Sequence, residues 1–441
     1  MSQAQEIAFD VLPGGTLSGR IRVPGDKSIS HRSIMLGALA EGTTEVSGFL
    51  NGDDCMATLA AFRAMSVDID GPNEGRVVIR GVGLNGLKPP DGPLDLGNSG
   101  TSMRLMAGLL SGQAFDTTLV GDASLTKRPM KRVTEPLALM GARIDTSAAG
   151  TPPLRIHGGQ TLKGIDYEMP MASAQVKSCL LLAGLYAQGS TCVTEPAPTR
   201  DHTERMLNGF GYSVSRDDHR ACVQGGGRLK AARIDVPADI SSAAFFLVGA
   251  SIASGSGITL EHVGMNPTRV GVIDVLRLMG AEIHVENPRE AGGEPVADLR
   301  VVSAPLRGVR IPEELVPLAI DEFPALFIAA ACADGETLLT GAEELRVKES
   351  DRIQVMADGL VACGIEAEPT PDGIRIQGGQ LRGATVDSHG DHRIAMSFAM
   401  GALRAEGSMQ ILNCANVNTS FPDFTGLARK AGLAVSQGPQ A

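Results

Sequence analysis

The sequence predicts an α/β protein built from six related units that form two domains. Each unit reads as a short strand, a polar turn and a helix rich in Ala, Leu and Met, followed by a β-branched strand and a second helix. The polar turns open at Asp26, Asn98, Ser173, Asp239, Asp321 and Asp391. These openings lie about 66 to 82 residues apart, whereas solenoid repeats have periods of roughly 20–50 residues. A chain of 441 residues therefore favours two compact three-unit domains over an extended array.

The polar turn before the first helix is the candidate functional position of each unit. It places side chains and backbone N–H groups at a helix N-terminus, which is electropositive and binds anions. Six such ends converging on one cleft between two domains would suit a ligand with several negative charges. An ordinary α/β chain with decayed repeats also fits the pattern.

The overall charge excludes a broad polyanion-binding surface. Lys plus Arg total 39 and Asp plus Glu total 50, so the formal net charge is −11, whereas nucleic-acid binders carry a basic excess. Aromatic residues make up only 3 %, so stacking platforms for bases are scarce. The N-terminus lacks the pattern of a secretory signal, and the apolar runs are too short to span a bilayer. We expect a cytoplasmic protein with no nucleic-acid or membrane partner.

The seven cysteines predict neither a disulfide framework nor a metal site. Their number is odd, their spacings are wide and no C-x-x-C motif occurs. Several lie in aliphatic runs, such as Cys179 and Cys332. We therefore expect reduced thiols buried in the core.

Basic and hydroxyl side chains recur in the polar turns, where they are typical of sites for phosphate and carboxylate groups. A lone Arg on such a turn is more often a solvated surface charge, but recurrence at equivalent turns favours a binding role. The candidates are Lys27, Ser28, Arg32, the segment Gly97–Thr101 with Gly100, Arg104, Lys127, Arg128, Lys131, Arg132, Ser173, Gln175, Lys177, Arg200, Lys348, Arg352 and Arg393.

Two carboxylates stand among these cations, Asp321 in IDEFP and Glu349 in VKESDR. Three interpretations are open for them. They form structural ion pairs with the neighbouring cations, or they transfer protons, a role in which a positioned carboxylate contributes roughly 10²–10⁴-fold to the rate. They could also stabilise a transient cation.

The motifs resemble those of the 5-enolpyruvylshikimate-3-phosphate synthase family, in the same order and across nearly the whole chain. The strings are PGDKSISHR, LGNSGTSMR, GDASLTKRPM, MASAQVKS, RDHTE, NPTR, IDEFP, ELRVKESDR and DHRIAM. Four of them (GDKS, SAQVK, RDHTE and NPTR) resemble the second bacterial class, which includes glyphosate-tolerant members.

This resemblance implies a fold and a domain arrangement. The fold is a two-domain inside-out α/β barrel, of the α+β type, in which each domain has three βαβαββ units with pseudo-threefold symmetry. Residues 1–24 and 240–441 would form domain 1, and residues 25–239 domain 2. The active site is then expected in the cleft between them.

The resemblance also implies a reaction. The enzyme would transfer the enolpyruvyl group of phosphoenolpyruvate to the 5-hydroxyl of shikimate 3-phosphate and release orthophosphate, by addition and elimination through a tetrahedral intermediate. This is a transferase step of the shikimate pathway, which leads to chorismate and the aromatic amino acids. It requires no cofactor and no metal. The expected partners are the two small-molecule substrates, and we expect a monomer.

Site residues follow from the matching motifs. Asp321, Glu349 and Lys27 are the expected catalytic residues. Shikimate 3-phosphate would contact Lys27, Ser28, Arg32, Ser173, Gln175, Arg200, Asp321 and Lys348. Phosphoenolpyruvate would contact Lys27, Gly100, Arg128, Gln175, Arg352 and Arg393.

Three positions bear on how far the resemblance extends. Ala174 stands where better-known members have a second serine, so one phosphate donor is lost, which Arg200 would replace. Asn418 precedes the segment before which some members carry a lysine, so that contact is not expected here. Tolerant members carry Ala at the position of Gly100, so we expect Gly100 to leave room for glyphosate.

Other functions remain as alternatives. UDP-N-acetylglucosamine enolpyruvyl transferase shares the fold and the phosphoenolpyruvate chemistry, but it uses a reactive Cys in the second unit, and residues 95–150 contain none. A catalytically dead binding module of the same fold is a second alternative. Loss of Asp321 or Glu349 would have favoured it, and both residues are present. A structural protein that binds phosphate chains is the third alternative.

Overall fold

A computed structural model of the chain describes residues 7–440, which fall into two compact units. The first unit contains the chain up to Pro24, Pro237–Glu290 and the chain from Pro295 onward. The second unit contains Gly25–Val236 together with Ala291–Glu294. Each unit has its own hydrophobic core.

Helices and strands alternate along the described chain. The helices are α1 (Lys27–Leu39), α2 (Asp53–Ala64), α3 (Gly100–Ser111), α4 (Lys131–Leu139), α5 (Ala174–Gly184), α6 (His202–Gly209), α7 (Ile240–Ile252), α8 (Gly271–Leu278), α9 (Val316–Ala319), α10 (Phe323–Ala331), α11 (Arg352–Ala362), α12 (His392–Gly401) and α13 (Phe424–Ala431). Short 3₁₀ turns cover Leu125–Lys127, Glu313–Leu315, Glu343–Val347, Ala402–Arg404 and Cys414–Thr419.

The strands are short. They are β1 (Ile7–Val11), β2 (Ser18–Ile21), β3 (Ala40–Ser47), β4 (Asp68–Asn73), β5 (Arg76–Val82), β6 (Leu94–Asp95), β7 (Thr117–Val120), β8 (Arg143–Asp145), β9 (Leu154–His157), β10 (Asp166–Glu168), β11 (Ser190–Thr194), β12 (Val214–Asp217), β13 (Arg220–Gln224), β14 (Leu229–Lys230), β15 (Arg233–Asp235), β16 (Gly257–Gly264), β17 (Glu282–Ala291), β18 (Glu294–Val302), β19 (Glu336–Leu339), β20 (Glu366–Thr370), β21 (Gly373–Gln377), β22 (Thr385–Asp387), β23 (Met409–Leu412) and β24 (Val435–Pro439).

The strands form three small sheets in each unit. In the second unit the orders are β14-β3-β5-β4, with β15 also beside β3, then β6-β7-β9-β8 and β10-β11-β13-β12. In the first unit they are β22-β23-β1-β24, β17-β18-β16-β2 and β19-β21-β20. The run β6-α3-β7-α4-β8-β9 is one complete βαβαββ repeat, and β10-α5-β11-α6-β12-β13 is the next. The predicted repeat is therefore present.

One helix of every repeat is buried on nearly all sides. These are α1, α3 and α5 in the second unit, and α7, α10 and α12 in the first. A helix that is apolar all round has no solvent face and must lie inside a core. All of Ile240–Ile252, for example, is buried. Because these helices are central, their N-terminal turns are buried or half-buried as well.

The expectation that every cysteine is reduced is wrong for one pair. Cys192 on β11 and Cys222 on β13 lie directly opposite each other on antiparallel strands, with 4.1 Å between their Cα atoms, and form a disulfide. The pairing depends on strand register, which the spacing of the cysteines does not reveal. The other five are free thiols, and burial raises the pKa of Cys179 to about 12.

Gly108 permits the close packing of α3 on α5. A Cβ atom at this position would lie 2.1 Å from the backbone oxygen of Cys179, so one of the two helices would have to move. Gly209, in contrast, has open space around its Cβ position at the exposed end of α6.

We predict that Gly108→Ala lowers the thermal-unfolding midpoint, because overpacking a core costs about 1–3 kcal/mol. Gly209→Ala is the matched control and is expected to leave the midpoint unchanged or slightly raised. Circular dichroism at 222 nm measures both. Equal midpoints for the two variants would contradict the packing described for α3 and α5.

Candidate active site

The starts of the buried helices carry part of the predicted site, namely Lys27, Ser28, Gly100, Ser173, Gln175, Asp321 and Arg393. The other segments supply Arg128, Arg200, Lys348, Glu349 and Arg352. Asp26, Ser99, Ser173, Asp239 and Asp391 cap α1, α3, α5, α7 and α12, each accepting a hydrogen bond from a backbone N–H of the first turn. Two predicted turn residues are not caps. Asn98 precedes the cap Ser99, and Asp321 lies two residues before α10, where Glu322 makes no capping hydrogen bond. Their side chains are therefore available for other partners.

In the second unit, α1 presents Lys27, Ser28 and Arg32. The Lys27 Nζ lies 3.0 Å from Oδ2 of Asp54, a buried carboxylate on α2. The buried Arg32 donates from Nε to Thr203 Oγ1 at 2.7 Å, and from Nη1 to the carbonyl oxygen of Ser28 at 3.0 Å. Arg32 thus holds α1 against α6 as well as presenting charge near the start of α1.

Gly100, Arg128 and Gln175 lie in one neighbourhood at the starts of α3 and α5. A Cβ atom on Gly100 would lie 2.9 Å from Nη1 of Arg128 and 3.0 Å from Nη1 of Arg104. Arg104 donates to Gln175 Oε1 at 2.7 Å. Arg128 donates from Nη2 to Asn98 Oδ1 at 2.6 Å. Arg104 is one of the candidate cations of the polar turns, but the family resemblance implies no role for it.

Ser173 and Arg200 belong to two segments that meet at Lys177. The Ser173 hydroxyl caps α5, and Lys177 follows one turn later. The Lys177 Nζ lies 3.4 Å from the carbonyl oxygen of Thr199, the residue before Arg200. Lys177 is only 1 % exposed, so its charge is confined between these segments.

The first unit brings together Asp321, Lys348, Glu349, Arg352 and Arg393. Asp321 Oδ1 lies 3.6 Å from Lys348 Nζ and 3.4 Å from Arg352 Nη1, and its Oδ2 lies 3.9 Å from Arg393 Nη2. Glu349 Oε2 accepts from Arg352 Nη2 at 2.6 Å. The two predicted carboxylates therefore share one guanidinium.

Arg352 is fully buried and also bonds Asp391, whose Oδ2 accepts from Nε at 2.8 Å. Burial disfavours the charged guanidinium, but Asp391, followed by Glu349 and Asp321, outweighs burial and raises the pKa of Arg352 above its usual value. Arg352 is therefore a permanent cation. The sequence places Asp391 in a polar turn but does not predict that it pairs with Arg352.

A buried polar chain joins α1 to the start of α3. His31 Nδ1 lies 2.8 Å from Thr58 Oγ1 and 3.2 Å from Ser102 Oγ, and Ser102 bonds the cap Ser99 at 2.8 Å. Burial, reinforced by the charges of Lys27 and Arg32, holds the pKa of His31 well below its usual range. His31 is therefore neutral at neutral pH.

The described residues offer no cluster of three or more His, Cys, Asp or Glu side chains suited to a metal ion. Across residues 7–440, no helix has both the length and the apolar character needed to cross a membrane.

Residues 11–427 match the EPSP synthase (3-phosphoshikimate 1-carboxyvinyltransferase) family. The 3-phosphoshikimate 1-carboxyvinyltransferase of Methylococcus capsulatus is 72 % identical over 429 residues, which cover 97 % of this chain and 98 % of that protein. The enzyme of the same name from Alkalilimnicola ehrlichii is 72 % identical over 431 residues, 98 % of this chain and 97 % of that protein. A solved EPSP synthase from Acinetobacter baumannii aligns with a TM-score of 0.88 at 59 % identity, covering 98 % of this chain and 100 % of that one. The predicted fold class is confirmed.

We predict that His31 makes stability depend on pH. Below the usual imidazole pKa of about 6.5, the unfolded chain takes up a proton that the folded chain does not, so stability present above this pH is lost as the pH falls. One such proton contributes up to about 1.4 kcal/mol per pH unit. Urea unfolding measures the free energy of unfolding at pH 7.5 and at pH 5.5. Between these two values, the wild type is expected to lose about 1 kcal/mol more of this free energy than His31→Asn. Identical losses would contradict a neutral buried His31.

Proposed function

The chain belongs to the EPSP synthase (3-phosphoshikimate 1-carboxyvinyltransferase) family, and we propose that it transfers the enolpyruvyl group of phosphoenolpyruvate to the 5-hydroxyl of shikimate 3-phosphate. The observation that carries this proposal is the concentration of cations and hydroxyls at capped helix N-termini, with two carboxylates beside one buried guanidinium. Such an arrangement fits two phosphorylated acids and a proton-transfer reaction. The proposal includes a cytoplasmic enzyme that acts as a monomer on these two small-molecule substrates.

Each unit contributes part of the proposed machinery. Proposed ligands of shikimate 3-phosphate are Lys27, Ser28, Arg32, Ser173, Gln175, Arg200, Asp321 and Lys348. Proposed ligands of phosphoenolpyruvate are Lys27, Gly100, Arg128, Gln175, Arg352 and Arg393. The burial of Arg128 and Arg393 supports these assignments, because a buried guanidinium binds a carboxylate or phosphate with little screening by water.

The proposed chemistry begins when Glu349, in its protonated form, gives its proton to the methylene carbon of phosphoenolpyruvate, which leaves the adjacent carbon cationic. The 5-hydroxyl oxygen attacks that carbon while Asp321 takes the hydroxyl proton. The methyl group of the resulting ketal then loses a proton as the bond to phosphate breaks, and orthophosphate leaves. Glu349 is the proposed carboxylate for proton exchange at the methyl carbon, and Lys27 is the third proposed catalytic residue. The Arg352 guanidinium lies 3.4 Å from Asp321 Oδ1 and 2.6 Å from Glu349 Oε2, so one buried side chain holds both carboxylates in place.

A phosphate-release assay tests the proposal. Orthophosphate is expected to appear only when phosphoenolpyruvate and shikimate 3-phosphate are both present. Release with phosphoenolpyruvate alone would indicate hydrolysis instead of transfer. No release with the complete mixture would refute the proposed function.

We predict that Asp321→Asn lowers kcat by about 10²-fold or more while shikimate 3-phosphate still binds, because the variant cannot accept the hydroxyl proton. Glu344→Gln is the matched control, since Glu344 also pairs with Lys348, at 3.0 Å. That variant is expected to keep kcat within about threefold of the wild type. Steady-state kinetics compares them, and a kcat near wild type for Asp321→Asn would exclude Asp321 as the base.

We predict that Gly100→Ala raises the KM for phosphoenolpyruvate by about tenfold, since one misplaced methyl group costs roughly 1–3 kcal/mol in a fitted pocket. The new methyl group would displace the Arg128 guanidinium, which lies 2.9 Å from the Cβ position. Glyphosate is expected to inhibit the wild type in competition with phosphoenolpyruvate and to inhibit Gly100→Ala less. If the KM for phosphoenolpyruvate and the inhibition by glyphosate are both unchanged in this variant, phosphoenolpyruvate does not bind beside Gly100.

A further inference from the structure

A buried ion cluster in the second unit has no part in the proposed chemistry. Lys177 on α5 lies 3.1 Å from Glu195 Oε1 and 2.9 Å from Glu204 Oε1, and the three side chains are 1–3 % exposed. Two buried carboxylates therefore share one ammonium group. Taking three charges out of water is costly, and well-packed apolar residues usually stabilise a core at least as well. Stability alone is therefore a poor reason for this arrangement.

The cluster fixes the segment that leads from β11 to Arg200. Glu195 Oε1 accepts from the backbone N–H of Thr199 at 3.2 Å, and Oε2 accepts from the Thr199 hydroxyl at 2.5 Å. The Lys177 Nζ donates to the carbonyl oxygen of Thr199 at 3.4 Å. All three polar groups of Thr199 are thus held by two buried side chains, and the next residue is Arg200.

The same cluster connects this segment to two helices. Lys177 lies one turn beyond the cap Ser173 and two residues beyond Gln175 on α5. Glu204 lies in the first turn of α6, which begins two residues after Arg200. The residues before and after Arg200 are therefore tied to the N-terminal part of α5 through one ammonium group.

We propose that Lys177, Glu195 and Thr199 are positioning residues that hold Arg200 in register with Ser173 and Gln175 for binding the phosphate of shikimate 3-phosphate. This inference rests on the proposed function, since it concerns the same substrate. Lys177 acts through the backbone of Thr199 and does not touch the substrate. Arg200 has a long side chain, and a fixed backbone reduces the conformational freedom it loses when it binds phosphate.

The test compares Thr199→Val with Thr199→Ser in the full chain. Valine keeps the shape and loses the hydroxyl that Glu195 accepts from, whereas serine keeps the hydroxyl. Isothermal titration calorimetry with shikimate 3-phosphate is expected to show binding about tenfold weaker for Thr199→Val and within about twofold of the wild type for Thr199→Ser. In kinetics the KM for shikimate 3-phosphate is expected to rise in parallel, with the KM for phosphoenolpyruvate unchanged.

A purely structural role predicts a different pattern. A lowered unfolding midpoint for Thr199→Val with unchanged affinity for shikimate 3-phosphate would overturn the positioning role. Equal loss of affinity for both substrates would also overturn it. The wild type could also bind shikimate 3-phosphate but form no product. If Thr199→Val then binds it more weakly than Thr199→Ser, only the proposed function is refuted. Absence of binding to the wild type would overturn both.

Discussion

The buried helix N-terminus is the constraint on which the structure depends. The first backbone N–H groups of a helix have no partner within the helix, and leaving them unpaired in a core is costly. The chain meets this demand with short polar caps, such as Asp26 on α1, Ser173 on α5 and Asp391 on α12. Burying these helices to form a core thus brings polar turns with a positive helix end to fixed positions.

Around these turns, cations are buried together with carboxylates. Asp54 faces Lys27 in the second unit, and Asp321, Glu349 and Asp391 surround Arg352 in the first. The net charge of −11 gives no indication of this local pairing. Charged side chains held by such partners keep their geometry without substrate, which reduces the ordering needed on binding. Two of these carboxylates, Asp321 and Glu349, are the groups proposed to transfer protons.

Sequence alone predicts the repeat, because a helix rich in Ala, Leu and Met follows each polar turn. Asn98 and Asp321 lie in turns, as predicted, although neither side chain caps the helix that follows. The sequence does not predict which strands share a sheet. For example, β14 and β15 pair with β3, although they lie nearly 190 residues further along the chain. Local patterns carry no information on such distant pairings.

The predicted site residues came from short motifs, and the structure adds the contacts between motifs. Arg104 with Gln175, His31 with Thr58, and Cys192 with Cys222 are examples. Each joins positions about 27 to 71 residues apart, so none has a sequence signature. The roles assigned to the individual site residues stay predictions until variants are measured.

The proposed enolpyruvyl transfer passes through a transient methyl group, which the reaction in D₂O, followed by proton NMR, detects. Addition of a deuteron to the methylene carbon creates a CH₂D group, and elimination then removes any one of its three hydrogens. Deuterium is expected in the vinyl group of the 5-enolpyruvylshikimate 3-phosphate formed. A product whose vinyl group holds no deuterium would contradict addition followed by elimination.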